Sequence, residues 1–226
     1  MHPMGRLERL APLTGILAVA LIVAAFTVFA DDTPESKEGI VKVAKFWRDH
    51  DSDASLSAVL LALAAVPMTW FAGSMRKAIR LAEPGRGRLS HIAFAGLVIL
   101  STGLLVGGAL QFALGESADD LSPQAIEALN AINVNFWFPY IAGIAIFMLA
   151  TGVAVLRHRG MHVAFGVTAL LLGIIGLTPV GFFAFLASGP WIVAAAIYLF
   201  LRGDAAPAAP TAPAATAPAS SPGSPS

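Results

Sequence analysis

Apolar runs long enough to cross a bilayer alternate along this chain with short polar segments. The first extends from Pro12 to Ala30, the second from about Ser55 to Met75, the third from His91 to Leu114 and the fourth from Phe136 to Leu156. Each is close to the ~20 predominantly apolar residues that a membrane-crossing helix needs. The last apolar stretch, His162 to Leu201, is 40 residues long, too long for one helix. Its strongest breaker is Thr178-Pro179-Val180-Gly181, which predicts a hairpin of two spans over about 161–177 and 182–201. The pattern therefore predicts an all-α, polytopic membrane protein of six transmembrane helices.

The polar segments carry their own periodicity. In 31–54, Thr33-Pro34 reads as an N-cap followed by a first-turn proline. Ile40, Val43, Ala44 and Trp47 then recur at helical spacing, which predicts an amphipathic helix over about 34–49. It would lie on the outer membrane surface or act as a lid over a site. In 115–135, Ser122-Pro123 is a second cap signal, and Ala125, Ile126, Leu129 and Ile132 form a short apolar face. The stretch Met75 to Ser90 is read as a basic loop, with Arg76, Lys77, Arg80, Arg86 and Arg88 against Glu83 alone. Residues 203–226 are Ala, Pro, Thr, Ser and Gly with a single charge, Asp204. Such a composition cannot bury enough apolar surface to offset chain entropy and predicts a disordered tail.

Charge turns this pattern into a topology. Loops rich in Lys and Arg beside membrane spans stay on the cytoplasmic side. With 75–90 inside, ten of the fourteen Lys and Arg residues fall inside and four outside, while eleven of the fourteen acids fall outside. Both termini are then cytoplasmic, in a cell (inner or plasma) membrane. The head of the chain, with Arg6 and Arg9 before the first apolar run, also has the form of a cleavable signal ending at Val28-Phe29-Ala30. Its apolar core exceeds the 7–15 residues usual for a signal, so an uncleaved anchor is expected. The chain is 57% hydrophobic and 12% charged, against roughly 25% charged in soluble domains. Its net charge of zero suggests no nucleic-acid partner. The absence of cysteine removes disulfides, thiolate nucleophiles and cysteine-ligated clusters.

Three motifs carry a resemblance. They are Trp70-Phe71-Ala72-Gly73-Ser74-Met75-Arg76, the segment Ala128-Leu129-Asn130 leading into Phe136 to Pro139, and Leu177-Thr178-Pro179-Val180-Gly181-Phe182-Phe183. Together they resemble a family of uncharacterised bacterial integral membrane proteins, over about residues 10–202. The resemblance implies six membrane helices and supplies no catalytic residue.

Candidate chemistry is sparse. No Asp, Glu, Lys, Arg or His falls in the interior of a predicted span, whereas ionisable groups within the membrane are the usual marks of proton relays and ion coupling. Gln111 is the strongest polar residue within a span, read as a ligand hydrogen bond or as an interhelical one. Asn130, Asn133 and Asn135 border the outer mouth of the fourth span, as cleft-lining residues or helix-end caps. His158 and His162, four apart, would share a helical face if the helix starts early enough, with His91 brought near them at the inner side. A metal site would need further ligands, and contact with lipid headgroups is the ordinary explanation for these rings. Arg76, Lys77, Arg80, Arg86 and Arg88 are expected to set topology and attract anionic lipid headgroups. Gly103, Gly107 and Gly108 are read as one small-residue face for close helix contact. No catalytic constellation, metal set or cofactor is assigned. The expected function is that of a non-enzymatic membrane protein acting through lipid or partner-helix contacts, a homo-oligomer among them. The alternative is a carrier or channel-like protein for a neutral or apolar solute.

Overall fold

The computed structural model describes residues 8–29, 33–35 and 38–202. The tail 203–226 and Arg6 lie outside the described residues, as do Ala30, Asp31, Asp32, Ser36 and Lys37 after the first apolar run. Among the described residues the chain is all-α. The helical segment Glu8–Val28 contains a 3-10 turn at Ala11–Leu13 and the α-helix α1, Thr14–Val28. There follow α2 (Ile40–Asp49), α3 (Asp51–Ala82), α4 (Arg88–Glu116), α5 (Pro123–Val134), α6 (Phe138–His158), α7 (Val163–Gly176) and α8 (Gly181–Arg202). Five helical segments are long and apolar enough to cross a membrane, and α7, with 14 residues, is a shorter apolar helix.

The apolar helices pack in the order α1–α3–α4–α6–α7–α8, and α8 returns to lie beside α1. Packing is tightest along α3–α4, α4–α6 and α6–α7, and much looser on either side of α8. Glycines explain the tight seams. A Cβ at Gly96 would stand 2.5 Å from the Phe147 backbone nitrogen, and one at Gly143 would stand 2.6 Å from that of Leu100. The backbones of α4 and α6 therefore touch where these two glycines cross. Gly103 and Gly107 continue the same contact, beneath Pro139 and Tyr140 and beneath Phe136 and the Tyr140 hydroxyl. Gly108 and Gly115 turn instead toward α3, where an added Cβ would stand 2.9 and 2.8 Å from the carbonyl oxygens of Ala58 and Asp51.

A second, smaller core covers one end of the bundle. Val43, Ala44 and Trp47 of α2 are buried against Ala54, Leu114, Ala118 and Ile126. Phe29, at the end of α1, stacks on Trp47 with ring centroids 5.5 Å apart. We call this the capped end, and the opposite one, where α3 turns into α4, the basic end.

Three expectations are corrected. The helix expected over 34–49 begins only at Ile40: Gly39 at φ 102° interrupts the chain, and Pro34 is instead buried in the cap. That helix is also more than a surface rider, because Trp47 is completely buried. The basic loop is mostly helix. Met75 to Ala82 contain good helix formers and no breaker, and buried Met75 and Ile79 continue the packed face of α3. Arg76, Lys77 and Arg80 thus lie on α3 and Arg88 opens α4, leaving Arg86 in the connection. Pro84, Gly85 and Gly87 are what finally turn the chain. Finally, His158 and His162 share no helix. Arg159, at φ 53°, separates them, and His162 caps α7 by accepting from the Ala164 amide at 3.3 Å.

Candidate functional site

The loose seam between α1 and α8 holds a crevice of about 340 Å³. It occupies the half of the bundle nearer the capped end. Its floor is where the helices meet: a Cβ at Gly189 would sit 3.5 Å from Val19 Cγ1. Its back wall is formed by Met68, Leu100 and Ile144, each about 1% exposed. Phe26 of α1 reaches across the mouth, 6.2 Å from the Trp137 ring and 6.4 Å from that of Phe185.

Helix geometry explains how the side chains converge. Val19, Ile22, Val23 and Phe26 are spaced three or four apart and so share one face of α1. Phe182, Phe185, Gly189 and Ile192 do the same on α8. Small Ser188 and Gly189 leave the space that larger side chains would fill. The two hydroxyls in the lining donate to their own helices. Thr27 Oγ1 donates to the Ala24 carbonyl at 2.9 Å, and Ser188 Oγ donates to that of Phe185 at 2.6 Å. The walls thus offer mainly apolar contact, with the Trp137 indole N–H as the further polar group in the lining.

The residues selected from sequence lie elsewhere. Gln111 is 8% exposed, and its Nε2 has no hydrogen-bond partner. It sits between Gly108 and Gly115 on the α4 face turned to α3, where Ser55 Oγ is also unpartnered. Asn130 neither lines a cleft nor caps a helix end. It is fully buried, accepts from Trp47 Nε1 at 2.9 Å and donates to the Pro34 carbonyl at 2.9 Å, tying α5, α2 and residues 33–35 together. Asn133 is half-buried near the end of α5, and its backbone carbonyl accepts from the Phe136 amide. Asn135 is the C-cap of α5 and donates to the Ala131 carbonyl at 2.8 Å.

At the basic end, several exposed cations are tied to neighbouring groups. Arg76 contacts His91 Nε2 at 2.9 Å and stands over the Phe94 ring, while Lys77 reaches Glu8 at 3.5 Å. Arg80 donates to the Glu83 carbonyl at 2.9 Å, and Arg202 donates to the Gly160 carbonyl. Arg86 and Arg88 are exposed at the turn. Among the described residues, no three His, Asp or Glu side chains are grouped so as to hold a metal ion.

Sequence reasoning missed Glu83. Only 8% exposed, its carboxylate accepts from the Leu89 amide at 2.8 Å and the Ser90 amide at 3.0 Å, capping α4 from across the turn. Burial pushes its pKa up. The two amide bonds, helped by the charges of His158 and Arg80, outweigh burial and hold it below 4.5. The available signal was an acid placed a few residues before a helix start in an otherwise basic stretch.

Fold and site together define a bundle of apolar helices with a ligand-sized apolar crevice at its loosest seam. No family model, curated protein or solved structure matches this chain.

Proposed function

We propose that this protein is an integral membrane protein with six spans and both termini in the cytoplasm. In this reading it acts through lipid or partner-helix contacts rather than by catalysing a reaction. The observation that carries the reading is the separation of charge along the helices. Arg76, Arg80, Arg86, Arg88, Arg157 and Arg159 gather at the basic end, whereas Asp51, Asp53, Glu116, Asp119, Asp120 and Glu127 gather at the capped end. Between them the helices carry no charge over lengths that match the ~30 Å hydrocarbon layer. The basic end is then cytoplasmic, with Arg86 and Arg88 free to meet anionic headgroups.

α7 belongs to this reading as the fifth span. Its 14 residues rise only about 21 Å, but exposed Leu177, Val180 and Phe183 extend the apolar surface past its end. Local thinning of the bilayer accommodates the remainder at modest cost. The crevice favours one second reading, a carrier for an apolar solute, which would require the floor at Val19 and Gly189 to open.

Cysteine labelling tests the topology, because the native chain has no thiol. Arg86→Cys and Arg157→Cys should resist a membrane-impermeant maleimide in intact cells, and Asp120→Cys should react. Labelling of Arg86→Cys from outside would refute this arrangement. Isolation from native membranes with identification of bound lipids and metabolites tests the function. Enrichment of a water-soluble metabolite would count against action through lipid.

A further inference from the structure

We infer that the crevice between α1 and α8 binds one hydrocarbon chain of a membrane lipid, taken from the leaflet at the capped end. The inference rests on the reading that the bundle spans a bilayer, and it goes further by naming a site and an occupant. The crevice lies along the outer part of two spans, so its open side faces acyl chains rather than water. An unfilled apolar space of about 340 Å³ forfeits dispersion contacts on every wall. Water gains little there, because both lining hydroxyls already donate to their own helices and the remaining walls are almost entirely apolar. The volume falls in the range of small-molecule sites, roughly 300–1,000 Å³.

Width decides the kind of occupant. Phe26 lies within ring-contact range of both Trp137 and Phe185, so the rings close much of the mouth. A helix about 10–12 Å across cannot enter, which argues against a partner segment or a second copy. A flexible chain one methylene wide can. Its length is bounded too: Val19 to Thr27 along α1 spans about 12 Å at 1.5 Å per residue, part of an acyl chain and far short of the bilayer. The lipid headgroup would then remain near Thr27 and Trp137, at the membrane surface, where aromatic rings are favoured.

A second apolar hollow, between α7 and α8 and including Leu171 and Ile175, is an open surface groove. It provides an internal control, because ordinary lipid contact there should exchange freely.

The test uses the full chain reconstituted in vesicles of dibromostearoyl phosphatidylcholine, extracted by dilution into detergent and weighed by native mass spectrometry. Wild type should retain one lipid per chain. Leu186→Trp, at a half-exposed mouth position, and Gly189→Leu, at the floor, should each lower retention about tenfold or more. Loss of contact with only two methylenes is enough for a change of that size. Leu171→Trp in the α7–α8 groove should retain lipid as wild type does. Thermal unfolding in detergent verifies that each variant is folded, and Leu186→Trp carries the test if Gly189→Leu is not. Equal retention in all four proteins, or no retention by wild type, overturns the site. Because retention does not depend on sidedness, its failure is separate from failure of the topology. A bundle inserted the other way round would still hold the chain.

Discussion

Glu83 shows how one acid within a basic segment can be structural. It satisfies two amides at the start of α4, where unpaired N–H groups and the helix dipole favour a negative charge. Glu83→Gln should lower stability in detergent by about 1–2 kcal/mol at neutral pH. A carboxyl whose pKa is lower folded than unfolded contributes stability above the unfolded value and loses it as pH falls through the folded one. Because the folded Glu83 pKa is lowered from the ordinary glutamate value, thermal unfolding should separate wild type from variant at pH 7 and bring them together as the pH falls through that lowered folded value. Asn130 makes a different prediction. Asn130→Ala would leave the Trp47 N–H and the Pro34 carbonyl buried without this partner, at a cost of about 1–3 kcal/mol each. Amide exchange in α2 should accelerate markedly while the amides of α4 and α6 keep their protection. Neither role was legible beforehand, since each depends on partners from a different element. Asn135 at the end of α5, by contrast, follows from local pattern alone.

At the scale of the helix, small residues decide which pairs approach closely. The Gly103 and Gly107 face was visible in the sequence, and the structure assigns it to α6. The closer crossing, Gly96 on Gly143, was not visible, because an isolated glycine in an apolar run carries no label of its neighbour. Gly96→Ala or Gly143→Ala puts a methyl against backbone that has no side chain to swing aside. Each should destabilise the bundle by about 1–3 kcal/mol. Gly73→Ala is the control: nothing lies within 4 Å of that position, and helix propensity favours alanine by up to about 1 kcal/mol. Melting temperatures of the three variants in one detergent would separate close packing from propensity. If Gly73→Ala is as damaging as the others, the α4–α6 contact is not what those glycines serve.

At the scale of the whole molecule, the chain closes on itself through α8, and its first and last helices meet at Val19 and Gly189. The double variant Val19→Cys/Gly189→Cys should therefore cross-link within one chain under mild oxidation, and no native cysteine complicates the assay. A cross-linked dimer instead would mean that α8 faces a second copy. The sequence by itself determined the all-α class, the long apolar helices, the capped start of α5 and the break between α7 and α8. Those features follow from apolar run length, cap residues and proline or glycine punctuation, which act over a few neighbouring positions. Tertiary structure alone decided that Asn130 fastens the cap and that Glu83 holds the α3–α4 turn, and packing of Met75 and Ile79 carried α3 into a basic stretch whose helix formers already allowed it. Tertiary structure also decided where the bundle is loose. The crevice exists because residues more than a hundred positions apart, on α1 and α8, present bulky rings at the mouth and a glycine at the floor. No periodicity along the chain records that meeting, since each helix is apolar on nearly every side and its neighbours are chosen by shape.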